Sequence, residues 1–377
     1  MESPRHHYRW LQSGRQFLRR LLAMIGRAQR SVRMEFYIFA PDHAGHAVCE
    51  ALIEAARRGV EVRVLVDALG SDGLPPGFWT PLISAGGQAR EFNPVELRRL
   101  PIRDHRKLVV IDGAHAGVGG FNVASEYAED GVTHGWADAG LAITGPVAAV
   151  LAREFDRMWR IAEEPQQWFA HIRRGQRPPA IPVSPELELL LSGPGRFASA
   201  FQLRLRDDLL AARQVRIASA YFLPTLRQRK LLRAAARRGA SVQIVVPGKS
   251  DVALSQRAAR HLYAGLLRAG VELYEYEPQV MHTKLVVTDR AAYVGSSNLD
   301  TRSLHINYEL MLRVTEPEVV AGGGAIFELL RQRSRRISWP EWQRSRSWFS
   351  RLRDAFAYWI LARADPYVTR WLAAAPR

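Results

Sequence analysis

Histidine and lysine two residues apart, with an aspartate five residues further on, occur twice in this sequence: His105, Lys107 and Asp112, then His282, Lys284 and Asp289. On a β-strand alternate side chains share a face, so each copy presents an imidazole and an ammonium side by side. Those groups suit transfer at a phosphodiester. A neutral imidazole can attack phosphorus and form a phosphohistidine, which divides one hard displacement into two easier ones. The other imidazole, protonated, can donate to the departing alkoxide and then deprotonate the incoming hydroxyl. Two lysines can neutralise the charge on the equatorial oxygens. In-line displacement puts attacker and leaving group on opposite sides of phosphorus, which asks for one histidine from each copy. Histidine titrates near neutrality, so one neutral and one protonated copy can coexist. The scheme calls for no metal and no other cofactor.

A histidine and a lysine on one strand are usually plain surface, and an aspartate ending a strand is usually turn chemistry. Lysine usage tips the balance. Of the 53 basic residues only Lys107, Lys230, Lys249 and Lys284 are lysine. A chain that uses arginine almost everywhere keeps lysine where a compact ammonium is needed, and two of the four stand at equivalent places of a repeat.

That repeat runs well beyond the motif. Ser31–Pro41 resembles Gln214–Pro224; Ala55–Gly59 and the apolar run after it recur at Ala235–Gly239; Gly119-Gly120-Phe121-Asn122 corresponds to Gly295-Ser296-Ser297-Asn298; and Asp138–Val147 aligns without a gap on Glu309–Glu318. Short β-branched runs alternating with Gly-capped helical stretches predict α/β architecture: two tandem domains, each a mixed sheet flanked by helices, related by a pseudo-twofold. The boundaries read as a first domain over 1–170, a Pro-rich basic linker over 171–186, a second domain over 187–318, and a basic amphipathic helical extension over 319–377. Asp138 and Glu309 stand at matching positions and can accept the second ring N–H of the histidines. Asn122 and Asn298 follow glycine turns and can donate to phosphate oxygens. A purely structural role is equally open for these four.

The chain has 377 residues, 47% hydrophobic and 24% charged, which suits folded domains and not disorder. A single cysteine excludes internal disulfides and points to a reducing compartment. The net charge of +16 asks for an anionic partner, phospholipid or nucleic acid. No run of about 18 apolar residues is present, and the N-terminus lacks the pattern of a secretory signal, so the expectation is a protein that lies on a membrane and does not span it. His43 and His46 beside Asp42 form too small a set for a metal site and read as loop.

The paired motifs, with Glu35–Phe39, Val118–Asn122, Gly145-Pro146 and Gly295–Ser303, resemble the phospholipase D superfamily, and most of all bacterial cardiolipin synthases of the short type without transmembrane helices. The resemblance implies transfer of a phosphatidyl group from one phosphatidylglycerol to another with release of glycerol. It assigns His105 as nucleophile and His282 as acid/base, with Lys107, Lys284, Asp112 and Asp289 in the same catalytic set. Asp112 and Asp289 complete the motifs in structural or orienting roles. It further implies anionic phospholipid as partner, no obligatory nucleic acid, and a peripheral place on the cytoplasmic face of the bacterial inner membrane. Ala124–Tyr127 and the Glu129–Trp136 loop are where acceptor choice can be decided. A phospholipase D-type hydrolase and a nuclease are the competing readings; the second motif copy and the lack of an aromatic platform for single strands outside the C-terminal tail count against the nuclease.

The extension carries Arg331, Arg333, Arg335, Arg336, Arg344 and Arg346, followed by Trp348, Phe349, Leu352, Ala355, Phe356, Trp359 and Ile360 at helical spacing. Such a stripe either enters the headgroup region of an anionic bilayer or packs on the protein body.

Overall fold

A computed structural model describes residues 6–94, 102–163, 179–195 and 197–364. The first half builds a seven-stranded sheet from β1 (His7–Leu11), β2 (Ser31–Phe36), β3 (Glu61–Asp67), β4 (Gln88–Phe92), β5 (Leu108–Ile111), β6 (His115–Gly119) and β7 (Gly140–Thr144), in the order β1-β7-β6-β5-β2-β3-β4. The second half builds nine strands: β8 (Ala180–Ser184), β9 (Leu187–Ser192), β10 (Gln214–Ser219), β11 (Ser241–Pro247), β12 (Glu272–Tyr276), β13 (Lys284–Thr288), β14 (Ala292–Gly295), β15 (Glu309–Val314) and β16 (Ser334–Ile337). Their order is β8-β9-β15-β14-β13-β10-β11-β12-β16. The first sheet's order is thus repeated, with one strand added at each edge. In both, the strand after the motif strand in that order runs antiparallel to it and the next two pairings are parallel.

Parallel pairs need helical crossovers, and the periodic sequence supplies them. Helix His43–Arg57 joins β2 to β3, and helix Leu226–Arg237 joins β10 to β11. The former is capped by the Asp42 side chain on the Gly45 amide, the latter by a Thr225–Gln228 capping box. Each unit packs helices on its outer face. Between the sheets lies a shared core, where Leu141, Phe155 and Met158 of the first unit join Leu189, Leu285, Leu312 and Phe327 of the second. Helices Val147–Glu163 and Pro317–Gln332 occupy this middle layer. The indole of Trp10 donates to the Val319 carbonyl at 3.1 Å across the interface. A Cβ at Gly322 would come within 2.5 Å of that indole, so the close approach needs glycine there.

Two expected boundaries shift. Residues 180–184, assigned to the linker, form β8. Its place at the sheet edge and its irregular register between Pro182 and Ser184 accommodate a residue with no N–H to donate. Residues 171–178 of that linker lie outside the described residues. The extension expected from 319 begins instead with a core helix: Val319, Ile326, Phe327 and Leu330 are buried, and β16 then closes the sheet edge against β12. The ungapped repeat ends at Val147 and Glu318, each in the first residues of an equivalent helix beside Pro146 or Pro317. Among the described residues, β8, β16 and the segment beyond Ile337 stand outside the duplicated plan.

Candidate active site

The motif histidines lie where the two units meet. His105 and Lys107 immediately precede β5; His282 precedes β13, whose first residue is Lys284. Each segment is fastened to the other unit by a short parallel bridge, Asp104 to Tyr308 and Ala137 to Met281. The His105 amide donates to the Tyr308 carbonyl at 3.0 Å, and the His282 amide to the Ala137 carbonyl at 2.8 Å. Tyr308 and Ala137 precede Glu309 and Asp138, so the two units exchange equivalent contacts, as a twofold relation requires.

The side chains obey the same exchange. His105 Nδ1 lies 3.1 Å from an oxygen of Glu309, a second-unit residue, and His282 Nδ1 lies 2.7 Å from Asp138, a first-unit residue. Both carboxylates are fully buried. A carboxylate at Nδ1 leaves Nε2 as the ring atom free to react, and it supports positive charge forming on the ring. Glu309 also accepts from the Ser296 hydroxyl. Lys107 Nζ donates to the His105 carbonyl at 2.7 Å; Lys284 Nζ donates to the His282 carbonyl and lies 2.8 and 2.9 Å from that residue's ring nitrogens. Aromatic rings wall the site, with Tyr37 4.9 Å from the His105 ring and Tyr127 and Trp136 at 5.1 and 5.6 Å from the His282 ring.

Burial governs the protonation of this cluster. It holds both imidazoles well below their usual range, with Lys107 and Lys284 acting in the same sense. Burial pushes Asp138 up to about 7 and Glu309 to about 8, and it lowers Lys107 to about 7 and Lys284 to about 8. The opposite charges in the cluster restrain each of these shifts. Both shifts favour the neutral imidazole in the free site. Lys284 acts on His105 and Lys107 on His282, which places both motifs in one electrostatic neighbourhood.

Six of the ten expected residues thus come together: His105, Lys107, Asp138, His282, Lys284 and Glu309. Asp112 and Asp289 do not, which corrects their placement in the catalytic set. Five residues of strand at about 3.3 Å each separate Asp112 from Lys107 by roughly 16 Å. Asp112, in the left-handed region at φ 55°, accepts from the amides of Gln29, Arg30 and Ser31, the last two at 2.7 and 2.9 Å. Asp289 accepts likewise from Arg213 and Gln214 at 3.0 and 3.3 Å. Both aspartates tie a strand end to the turn entering the neighbouring strand. Asn122 spends its Oδ1 on the Ile38 amide at 3.1 Å, which braces the turn carrying Tyr37; Asn298 is buried and its Oδ1 has no partner among the described residues. Asp42 is used up as well, capping its helix and accepting from the Ser125 amide at 2.6 Å.

Sequence reasoning did not single out Ser296 or the aromatic wall. The wall had a signal in the Glu129–Trp136 loop, which crosses to the second unit: the Tyr276 hydroxyl donates to the Gly131 carbonyl at 2.7 Å and Gln279 to the Thr133 carbonyl at 2.8 Å. That loop delivers Trp136 to His282. Beneath His105 the fully buried pair Arg106–Glu35 closes at 2.9 Å; the second unit has Thr283 and Ala218 at the equivalent positions.

A family model described as "Cardiolipin synthase, PLD-like domain" matches residues 21–159 and 209–330. The chain belongs to that family. Cardiolipin synthase 1 of Bacillus anthracis is 33% identical over 362 residues, a match covering 92% of this chain and 70% of the relative. Cardiolipin synthase B of Salmonella typhimurium is 34% identical over 323 residues, covering 80% and 75%. The fold also matches the crystal structure of phosphatidylserine synthase from Haemophilus influenzae Rd KW20, with a TM-score of 0.74 at 15% identity over 96% of this chain and 94% of that one. The expected architecture of two tandem phospholipase-D-like units is the observed one. Among the described residues no helix is long and apolar enough to cross a membrane.

Proposed function

We propose that the protein is a phosphatidyltransferase of the cardiolipin synthase type, with phosphatidylglycerol as donor and acceptor. The observation that carries the reading is the crossed pairing of two buried histidines with two buried carboxylates around two lysines. His105 Nε2 attacks phosphorus, and the bond from phosphorus to the glycerol oxygen breaks. The departing alkoxide takes a proton from His282. A free site with two neutral imidazoles gains that proton with the substrate, because the phosphodiester charge offsets the ammoniums that hold His282 down. Glycerol leaves. His282 then accepts the proton of a hydroxyl on a second phosphatidylglycerol, the new oxygen–phosphorus bond forms, and the phosphorus–nitrogen bond to His105 breaks. Two phosphatidylglycerols yield one cardiolipin and one glycerol. The reading places the protein peripherally on the cytoplasmic face of the bacterial inner membrane, where that lipid is available.

The test is mass-spectrometric analysis of products from vesicles of defined headgroup, with chelator present. Cardiolipin and glycerol in equal amounts are expected from phosphatidylglycerol. Phosphatidic acid as the main product would mean that water is the acceptor and that the protein is a hydrolase. A His282→Ala protein quenched in neutral detergent should retain an acid-labile phosphatidyl adduct on His105; an adduct on His282 in a His105→Ala protein instead would reverse the roles.

A further inference from the structure

The helix Trp348–Trp359 settles which side of its stripe meets the protein. Asp354 and Ala357 are buried against helix Ala253–Leu267, the Tyr358 ring stacks on His261 at 4.9 Å, and Arg346 bonds to Asp354. The opposite face carries Trp348, Phe349, Leu352, Phe356 and Trp359, between 56 and 76% exposed. Their spacing makes one apolar strip about 16 Å long. Isolated apolar side chains on a surface are ordinary, but five large ones in a row mark a contact surface.

Basic residues adjoin this strip. The Tyr358 hydroxyl accepts from Arg229 at 2.8 Å, which joins the helix to Leu226–Arg237. That second helix contains no acidic residue, and Lys230, Arg233, Arg237 and Arg238 line one open basin on it. Among the described residues, neither Lys230, Arg233 nor Arg237 pairs with a carboxylate, whereas Arg57, Arg204 and Arg331 elsewhere on the surface each do. Arg351, exposed beside the strip, also lacks one.

We infer that these two helices form the face by which the protein docks on an anionic phospholipid bilayer, the aromatic strip entering the acyl boundary and the basin on Leu226–Arg237 meeting headgroup phosphates. Unneutralised cations beside an exposed Trp/Phe/Leu strip fit that occupant, since the polar boundary of such a bilayer supplies anionic and apolar surface side by side. The inference rests on the lipid reading of the active site but concerns residues outside it.

The test uses the full chain and vesicle flotation without turnover, so failure of synthesis and failure of docking are separately visible. Wild-type protein should float with phosphatidylglycerol-containing vesicles and its tryptophan fluorescence should be quenched by acyl-brominated lipid, an effect lost in Trp348→Phe/Trp359→Phe. Phe349→Ser/Leu352→Ser/Phe356→Ser should weaken binding by roughly 100-fold or more, as three large apolar side chains lose their burial. Lys230→Gln/Arg233→Gln/Arg237→Gln should cost roughly 100-fold on anionic vesicles, at about fivefold per charge, and little on zwitterionic ones. Both triple variants should turn over a monomeric short-chain phosphatidylglycerol within twofold of wild type. Unchanged flotation of the two variants would overturn the inference. So would a wild-type oligomer that the serine variant dissociates in the absence of lipid, which would make the strip an interface between copies. Quenching that is identical in the Trp→Phe variant would equally overturn it, as a strip covered by the chain's own C-terminal residues requires.

Discussion

Replacing Glu309 by glutamine tests the crossed pairing with little change of shape. The carboxylate is fully buried and lies 3.1 Å from His105 Nδ1. When Nε2 bonds to phosphorus the ring becomes cationic, and above about pH 8, where Glu309 is ionised, an anion at that distance stabilises it by about 5 kcal/mol at an effective dielectric of about 20. A neutral amide retains an ordinary hydrogen bond of about 1–1.5 kcal/mol. The net loss of about 3–4 kcal/mol corresponds to a fall in kcat of roughly 10²–10³-fold. Folding should respond in the opposite direction. Burial raises the Glu309 pKa from 4.5 to about 8, so between those pH values the native state binds more protons than the unfolded chain. Wild-type stability is then eroded as pH rises through the window, and the glutamine variant lacks that slope. Its stability relative to wild type should therefore grow from pH 4.5 to 8. Burst kinetics on phosphatidylglycerol and denaturant unfolding at several pH values measure both effects. A variant within fivefold of wild-type kcat would refute the electrostatic role, and one that loses activity only by unfolding would reduce Glu309 to a packing residue.

Three further outcomes are expected. Lys107→Arg and Lys284→Arg should each lower kcat by two or more orders of magnitude at unchanged folding, because a planar guanidinium does not fit where Lys284 meets the His282 ring and carbonyl, or where Lys107 meets the His105 carbonyl beside the Tyr37 ring; steady-state kinetics with circular dichroism checks this. The free-enzyme profile of kcat/KM should fall as pH rises through about 7 to 8, where Lys107 and Lys284 lose their charge, and its acid limb should lie below pH 6.5 because both imidazoles are held down. Asp112→Ala should cost about 1–3 kcal/mol in urea unfolding by freeing the amides of Gln29, Arg30 and Ser31, while kcat of the folded fraction stays within a fewfold of wild type.

Much of this molecule was legible in its repeat. Because both copies keep lysine at 107 and 284 in an arginine-rich chain, the histidine–lysine pairs could be read as a site, and the aligned Asp138 and Glu309 could be nominated as their partners. Which carboxylate serves which histidine was not legible, since alignment of one copy on the other is blind to an exchange between them. The motif aspartates were misplaced for a different reason: a motif is written as one string, but a strand carries its last residue away from the first. β8 escaped notice because prolines suit an edge strand as well as a linker, and local sequence does not distinguish a strand with one neighbour from a chain with none. The apolar strip of Trp348–Trp359 was visible as a periodicity; its outward orientation depends on Asp354 and Ala357 taking the inner face, a choice made by helix Ala253–Leu267.

Histidines that borrow each other's carboxylates describe how two identical chains would complete a shared site, each supplying what the other lacks. Joined in one chain, the copies no longer need to change together. Gly120 leaves room for Asp138, whose oxygen a Cβ there would meet at 2.2 Å, whereas the equivalent Ser296 donates to the longer Glu309. Arg106 and Glu35 underpin one histidine, while Thr283 and Ala218 take their places beside the other. A dimer of equals would have to let either imidazole attack and either carry the proton, and every inherited change would strike both roles at once. Gene fusion lifts that constraint: selection can then sharpen one histidine as attacker and its twin as proton carrier.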